Sequence, residues 1–103
     1  MNKPYVSHEE ATIKSLREDP EYAAEYLNAV LEDGSQEELM LALRRLASAF
    51  GLKEVAGRAQ LNSKTIYRML SPAGNPELKS FQSLLAAMGL RLAVTPMANS
   101  SAH

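Results

Sequence analysis

The sequence predicts an all-α bundle with two N-terminal helices and one short C-terminal strand. Three observations predict it. Apolar residues recur at i, i+3, i+4 along most of the chain, the period of a helix with one buried face. Helix-starting residues stand at the head of most such runs. Between Leu52 and Leu70, two short helical patterns flank a turn too short to lay them antiparallel. That last layout is a helix-turn-helix, whose second helix can enter the DNA major groove.

The elements follow in order. Ser7-His8-Glu9-Glu10 has capping-box spacing and opens a helix over residues 7 to about 18. Asp19-Pro20-Glu21 starts a second helix, with Asp19 as N-cap and Pro20 at the first position, where its missing N–H costs nothing. Ala23, Tyr26, Leu27, Val30 and Leu31 form its apolar stripe, and Asp33-Gly34 ends it. Ser35-Gln36-Glu37-Glu38 is a second capping box. It opens the longest helix, with Leu39, Leu43, Leu46, Ala47 and Phe50 inward and Arg44, Arg45 and Ser48 more exposed. Gly51 lies just past its end, where a left-handed residue is usual.

In the helix-turn-helix, Val55, Ala56 and Ala59 face inward from the first helix, and Ile66, Met69 and Leu70 from the second. The small Ala56 and Ala59 let the two helices cross closely. Leu61 plugs the turn, and Asn62 or Ser63 can cap the second helix. Lys64, Tyr67, Arg68 and Ser71 recur at i, i+3, i+4, i+7 and share the outward face. Two cations, a phenol and a hydroxyl suit phosphates and base edges. Lys53, Arg58 and Asn75 join them as candidate DNA contacts. Gly74-Asn75-Pro76 supplies a turn and launches a helix through Phe81, Leu84, Leu85 and Met88, closed by Gly89. Leu90-Arg91-Leu92-Ala93-Val94-Thr95 alternates and favours β structure, so it is read as a strand that Pro96 stops.

A lone strand needs hydrogen-bond partners. Pairing Leu90, Arg91, Leu92, Ala93 and Val94 with the same residues of a second copy would supply them and make a homodimer. The alternative is an extended tail lying on the helices.

Charge divides the chain. Residues 1–43 hold ten acidic and three basic side chains, and residues 44–103 hold eight basic and two acidic ones. The formal net charge of −1 hides this split. The basic half contains the helix-turn-helix and points to nucleic acid; the acidic half points to another partner. The expected division is an acidic helical segment packing on the core (1–34), a DNA-binding domain with its strand (35–96) and a disordered tail (97–103).

With 103 residues and no cysteine, the chain fits one domain without disulfides or a thiolate metal site. No stretch resembles a signal peptide or approaches the ~20 apolar residues needed to cross a bilayer, so a cytoplasmic protein with no membrane contact is expected. His8 and His103 have no metal-ligand spacing, and the glutamate pairs sit at helix starts, where the dipole favours them. No enzyme, metal or cofactor is expected.

The segments Asp19-Pro20-Glu21-Tyr22-Ala23-Ala24-Glu25-Tyr26-Leu27, Leu61-Asn62-Ser63-Lys64-Thr65-Ile66-Tyr67-Arg68-Met69-Leu70-Ser71, Gly74-Asn75-Pro76 and Leu85-Ala86-Ala87-Met88-Gly89-Leu90-Arg91-Leu92 carry a resemblance. The chain resembles the λ-repressor-like, XRE-type helix-turn-helix proteins, and more narrowly the addiction-module antidote proteins, the HigA-like antitoxins of type II toxin–antitoxin pairs. This resemblance, from about Ser7 to Thr95, implies a core of about five helices, double-stranded DNA of the protein's own operator as ligand, and a RelE/ParE-like ribonuclease toxin as partner. It places base reading at Asn62, Ser63 and Lys64 and later contacts at Tyr67 and Arg68. Glu18, Asp19, Glu21, Tyr22, Glu25 and Tyr26 become candidate toxin contacts on the acidic side. Two positions depart from the pattern. Leu52 stands where many such proteins carry a phosphate-bracing Gln, and Gln60 stands where Gly is frequent, which requires a left-handed Gln60 or a shifted turn. Competing readings are a stand-alone dimeric regulator without a toxin, and an interaction module that has lost DNA binding.

Overall fold

The structure is a computed structural model that describes residues 14–97. Residues 14–18 are helical (α1). They precede α2 (Pro20–Asp33), α3 (Gln36–Phe50), α4 (Leu52–Ala59), α5 (Ser63–Met69) and α6 (Leu78–Ala87). All regular structure among the described residues is helical. The capping box at Ser7–Glu10 and residues 98–103 of the expected tail lie outside the described residues.

Local chemistry sets the helix ends. Asp19 Oδ1 accepts from the backbone N–H of Glu21 at 3.1 Å and of Tyr22 at 3.2 Å, so α2 starts where Asp19-Pro20 places it. Ser35 completes a full capping box: its Oγ accepts from Glu38 N–H at 3.1 Å, and Glu38 Oε1 accepts from Ser35 N–H at 2.8 Å. Gly51 joins α3 to α4 with φ +102, a conformation that side chains resist.

The helices stack around one core. α2 lies on α3, α3 on α4, and α4 carries both α5 and α6. Leu16, Leu27, Met40, Leu43, Leu46, Val55, Ile66, Leu70, Leu84 and Leu85 are buried in it, and among the described residues no polar or charged side chain is. Of the predicted α2 stripe, Ala23 and Leu27 are buried, Tyr26 and Val30 are half-buried, and Leu31 is exposed.

The expected strand, and with it the pairing of Leu90, Arg91, Leu92, Ala93 and Val94 with a second copy, finds no support in this single chain. Residues 90–95 carry no regular structure, and no second strand exists among the described residues to complete a ladder. At the end of α6, Gly89 N–H donates to Ala86 O at 3.0 Å and Leu90 N–H to Leu85 O at 2.9 Å. This Schellman pair sends the chain back across the bundle. Leu90 and Leu92 rest half-buried against the core, while Arg91, Ala93 and Val94 face outward. The alternation read as a strand is that of an extended tail with one side on helices.

Candidate nucleic-acid interface

The turn between α4 and α5 decides where α5 points. Gln60 adopts φ 60, ψ 41, so of the two alternatives left open by Gln in the glycine position, a left-handed residue or a shifted turn, it is the left-handed one. Its N–H donates to Gly57 O at 3.2 Å, and Leu61 N–H donates to Ala56 O at 2.9 Å. These two bonds are again a Schellman motif, here with Gln in the glycine position. They fold Leu61 back toward Ala56, so the side chain that plugs the turn is held by backbone bonds. Ala56 and Ala59 are buried, so nothing larger than a methyl group separates the α4 backbone from its neighbours there.

Asn62 then caps α5. Its Oδ1 accepts from Thr65 N–H at 2.7 Å, which decides between Asn62 and Ser63 as the cap. The bond engages the carbonyl oxygen of the Asn62 side chain in holding the helix and leaves its NH2 group to donate outward. Ser63, the first helical residue, is half-buried. Ile66 and Leu70 anchor α5 in the core. Lys64, Tyr67 and Arg68 are exposed on the opposite side, and Ser71 is half-buried in the bend that follows.

The remaining cations sit on α4. Lys53 is exposed in its first turn. Arg58 is exposed too, but its Nη2 lies 2.7 Å from Glu54 Oε2 one helical turn away. With both side chains more than half exposed, water screens the pair and the arginine can exchange partners cheaply. Asn75 is exposed in the loop between α5 and α6. That loop is tied to the start of α3: Gln36 Nε2 donates to Gly74 O at 3.0 Å.

Sequence reasoning missed one part of this face. Arg44, half-buried on α3, places its guanidinium carbon 5.5 Å from the centroid of the Tyr67 ring. The two residues are far apart in the chain, so no local spacing announced the contact.

On the acidic side, Glu18, Glu21 and Glu25 are exposed. Asp19 is committed to its cap, and Tyr22 and Tyr26 are half-buried against the core. Next to them, a groove of about 560 Å³ runs between α2 and α3, lined by Tyr26, Val30, Asp33, Glu38, Leu41 and Arg45 among others. Among the described residues, no three His, Cys, Asp or Glu side chains gather to hold a metal ion, and no helix is long and apolar enough to cross a membrane.

Residues 8–96 match the family model described as "Probable addiction module antidote protein". An uncharacterized protein of Haemophilus influenzae is 29% identical over 69 residues, which span 67% of this chain and 71% of that protein. No solved structure gives a significant match.

Proposed function

The chain belongs to the family of probable addiction module antidote proteins, and from that premise we propose that it is both antitoxin and repressor of its own operon. Family membership supports the antitoxin role in a toxin–antitoxin module. The repressor role rests on one observation: α5 is anchored by Ile66 and Leu70 and presents Lys64, Tyr67 and Arg68 outward, on the basic half of the chain.

In this reading α5 is the recognition helix of an XRE-type, λ-repressor-like domain. Lys64, Arg68 and nearby groups hold DNA by phosphate neutralisation and base contact, with Asn62, Ser63 and Tyr67 beside them at base edges. Lys53, Arg58, Ser71 and Asn75 flank the contact. Two copies would let two α5 helices read half-sites about 34 Å apart. The acidic residues around Glu18, Glu21 and Glu25 face a RelE/ParE-like toxin.

The experiment is titration of the purified protein with its own upstream DNA and with unrelated DNA across a salt series. A large preference for the upstream fragment is expected, with log K falling by about 0.9 per phosphate contact for each unit of log salt. Lys64→Ala should make that slope shallower by about one contact, and Arg68→Ala should weaken binding. No preference in a folded protein would refute the repressor reading and favour the interaction module, for which the apolar Leu52 at the head of α4 already speaks.

A further inference from the structure

We propose that Arg44 is a positioning residue of the DNA-reading face, fixing the ring of Tyr67 on α5. The inference rests on the repressor reading above and adds a residue from outside the helix-turn-helix to it.

Tyr67 is half exposed, at 50%. A tyrosine on an open helix face has several staggered side-chain positions available, each sending its hydroxyl to a different place. The hydroxyl both donates and accepts, so it can read a base edge only if the ring holds it at the right spot. Nothing on α5 itself supplies that hold: its residues one turn before Tyr67 are Ser63 and Lys64, a short chain and a flexible one, and Ser71 in the bend beyond is short as well.

The hold comes from α3. The Arg44 guanidinium lies 5.5 Å from the ring centroid, within the ~6 Å over which a cation is drawn to an aromatic face. Arg44 is half-buried on α3, and an arginine in such a place can lay its stem along the protein while its head reaches the ring. Among the described residues no carboxylate pairs with it, so no ion pair competes for the guanidinium. A planar guanidinium suits this task better than an ammonium, because it can lie along the ring while still donating at its edge. Arg44 therefore links a rigid, fifteen-residue helix to the one aromatic side chain of a seven-residue recognition helix.

A positioning arginine and a phosphate-binding arginine leave different traces. A phosphate contact contributes about 0.9 to the salt slope and is indifferent to sequence. A positioning contact leaves the slope alone and changes the preference for the operator, and it does so only while Tyr67 is present. The test measures wild type, Arg44→Gln, Arg44→Lys, Tyr67→Ala and the Arg44→Gln/Tyr67→Ala double variant, each checked for intact thermal unfolding. Binding to the upstream fragment and to unrelated DNA is followed across salt.

Arg44→Gln is expected to lower the preference for the upstream fragment about two- to fivefold, the strength of an exposed cation–π contact, with an unchanged slope. In the Tyr67→Ala background it should cost nothing further, and Arg44→Lys should retain part of the preference. A slope shallower by about 0.9 with preference intact would overturn the proposal in favour of a phosphate contact. An equal loss in the Tyr67→Ala background would overturn it too, since Arg44 would then act without the ring. If wild type shows no preference, the repressor reading fails and this role with it. That outcome is recognisable because all variants would then bind both fragments alike. The pairing is read separately, without DNA, from the upfield ring-current shift of the Arg44 δ protons. That shift should vanish in Tyr67→Ala, and its absence from wild type would refute the contact.

Discussion

Replacing Gln60 by Gly should stabilise the protein. Gln60 is held at φ 60, ψ 41 in the turn that orients α5, where a Cβ crowds the following carbonyl. That crowding costs about 1–2 kcal/mol relative to a right-handed residue, and glycine escapes it. Glycine is freer in the unfolded chain, which costs back about 0.5–1 kcal/mol. The Gln60 side chain is exposed, so its removal sacrifices no buried packing. The balance spans about 0–1.5 kcal/mol, and mid-range values leave a gain of about 0.5–1 kcal/mol. For a domain of this size each kcal/mol moves Tm by about 4–8 °C, so Gln60→Gly should melt about 2–8 °C higher. Thermal unfolding followed by circular dichroism reads this directly. Gln60→Ala keeps the strained Cβ and should stay near wild type. Gln60→Val should fall below it, because a β-branched residue tolerates the left-handed region worst. A Gly variant no more stable than the Ala variant would mean that the backbone at Gln60 carries no strain for glycine to release.

Gly57 offers the opposite case inside α4. It is exposed, its φ is not positive, and a Cβ built on it meets nothing within 4 Å. Gly57→Ala should therefore add about 0.5–1 kcal/mol in denaturant unfolding, and a loss would show that α4 is not helical at that point. Asn62 separates folding from DNA contact: Asn62→Ala should cost about 1 kcal/mol by removing the bond to Thr65 N–H. Asn62→Asp should keep the cap and near-wild-type stability yet weaken operator binding, because its carboxylate would face phosphates. Equal DNA affinity for the Asp variant would place Asn62 away from the nucleic acid.

What was legible in the sequence was chemistry acting over three or four residues. The Asp19-Pro20 start, the Ser35–Glu38 box and the Gly51 junction each complete their bonds within one turn, so spacing alone located them. The outward face of α5 was legible for the same reason, since Ile66 and Leu70 fix which side is inside. Burial in α3 was underestimated. Met40, Ala42 and Ala49 are buried besides the expected stripe, because α2 and α4 cover this helix from different sides. A one-stripe reading suits a helix with one neighbour. The strand failed through a real ambiguity: alternation reports that one side of an extended segment is covered and does not say whether a sheet or a layer of helices covers it. Arg44–Tyr67 and Gln36–Gly74, the latter 38 residues apart, had no spacing to betray them.

Those two long-range contacts share a consequence for the candidate site. A helix of seven residues is too short to hold its shape alone, because nucleation consumes most of what its few hydrogen bonds supply. The direction of α5 must come from its surroundings. The left-handed turn at Gln60 and the Asn62 cap fix its start, and Ile66 and Leu70 fix its inner side. Gln36 holds the loop beyond its end, and Arg44 holds a side chain on its outer face. Both of these last residues belong to α3, the longest helix and the one with the most complete cap. The candidate DNA contacts on α5 are therefore oriented by its own turn, cap and buried side chains together with two contacts from α3. Substitutions at the exposed Lys64 or Arg68 should cost the fold little, whereas changes at Gln36 or Arg44 of α3 reach α5 and the loop beyond it from a distance.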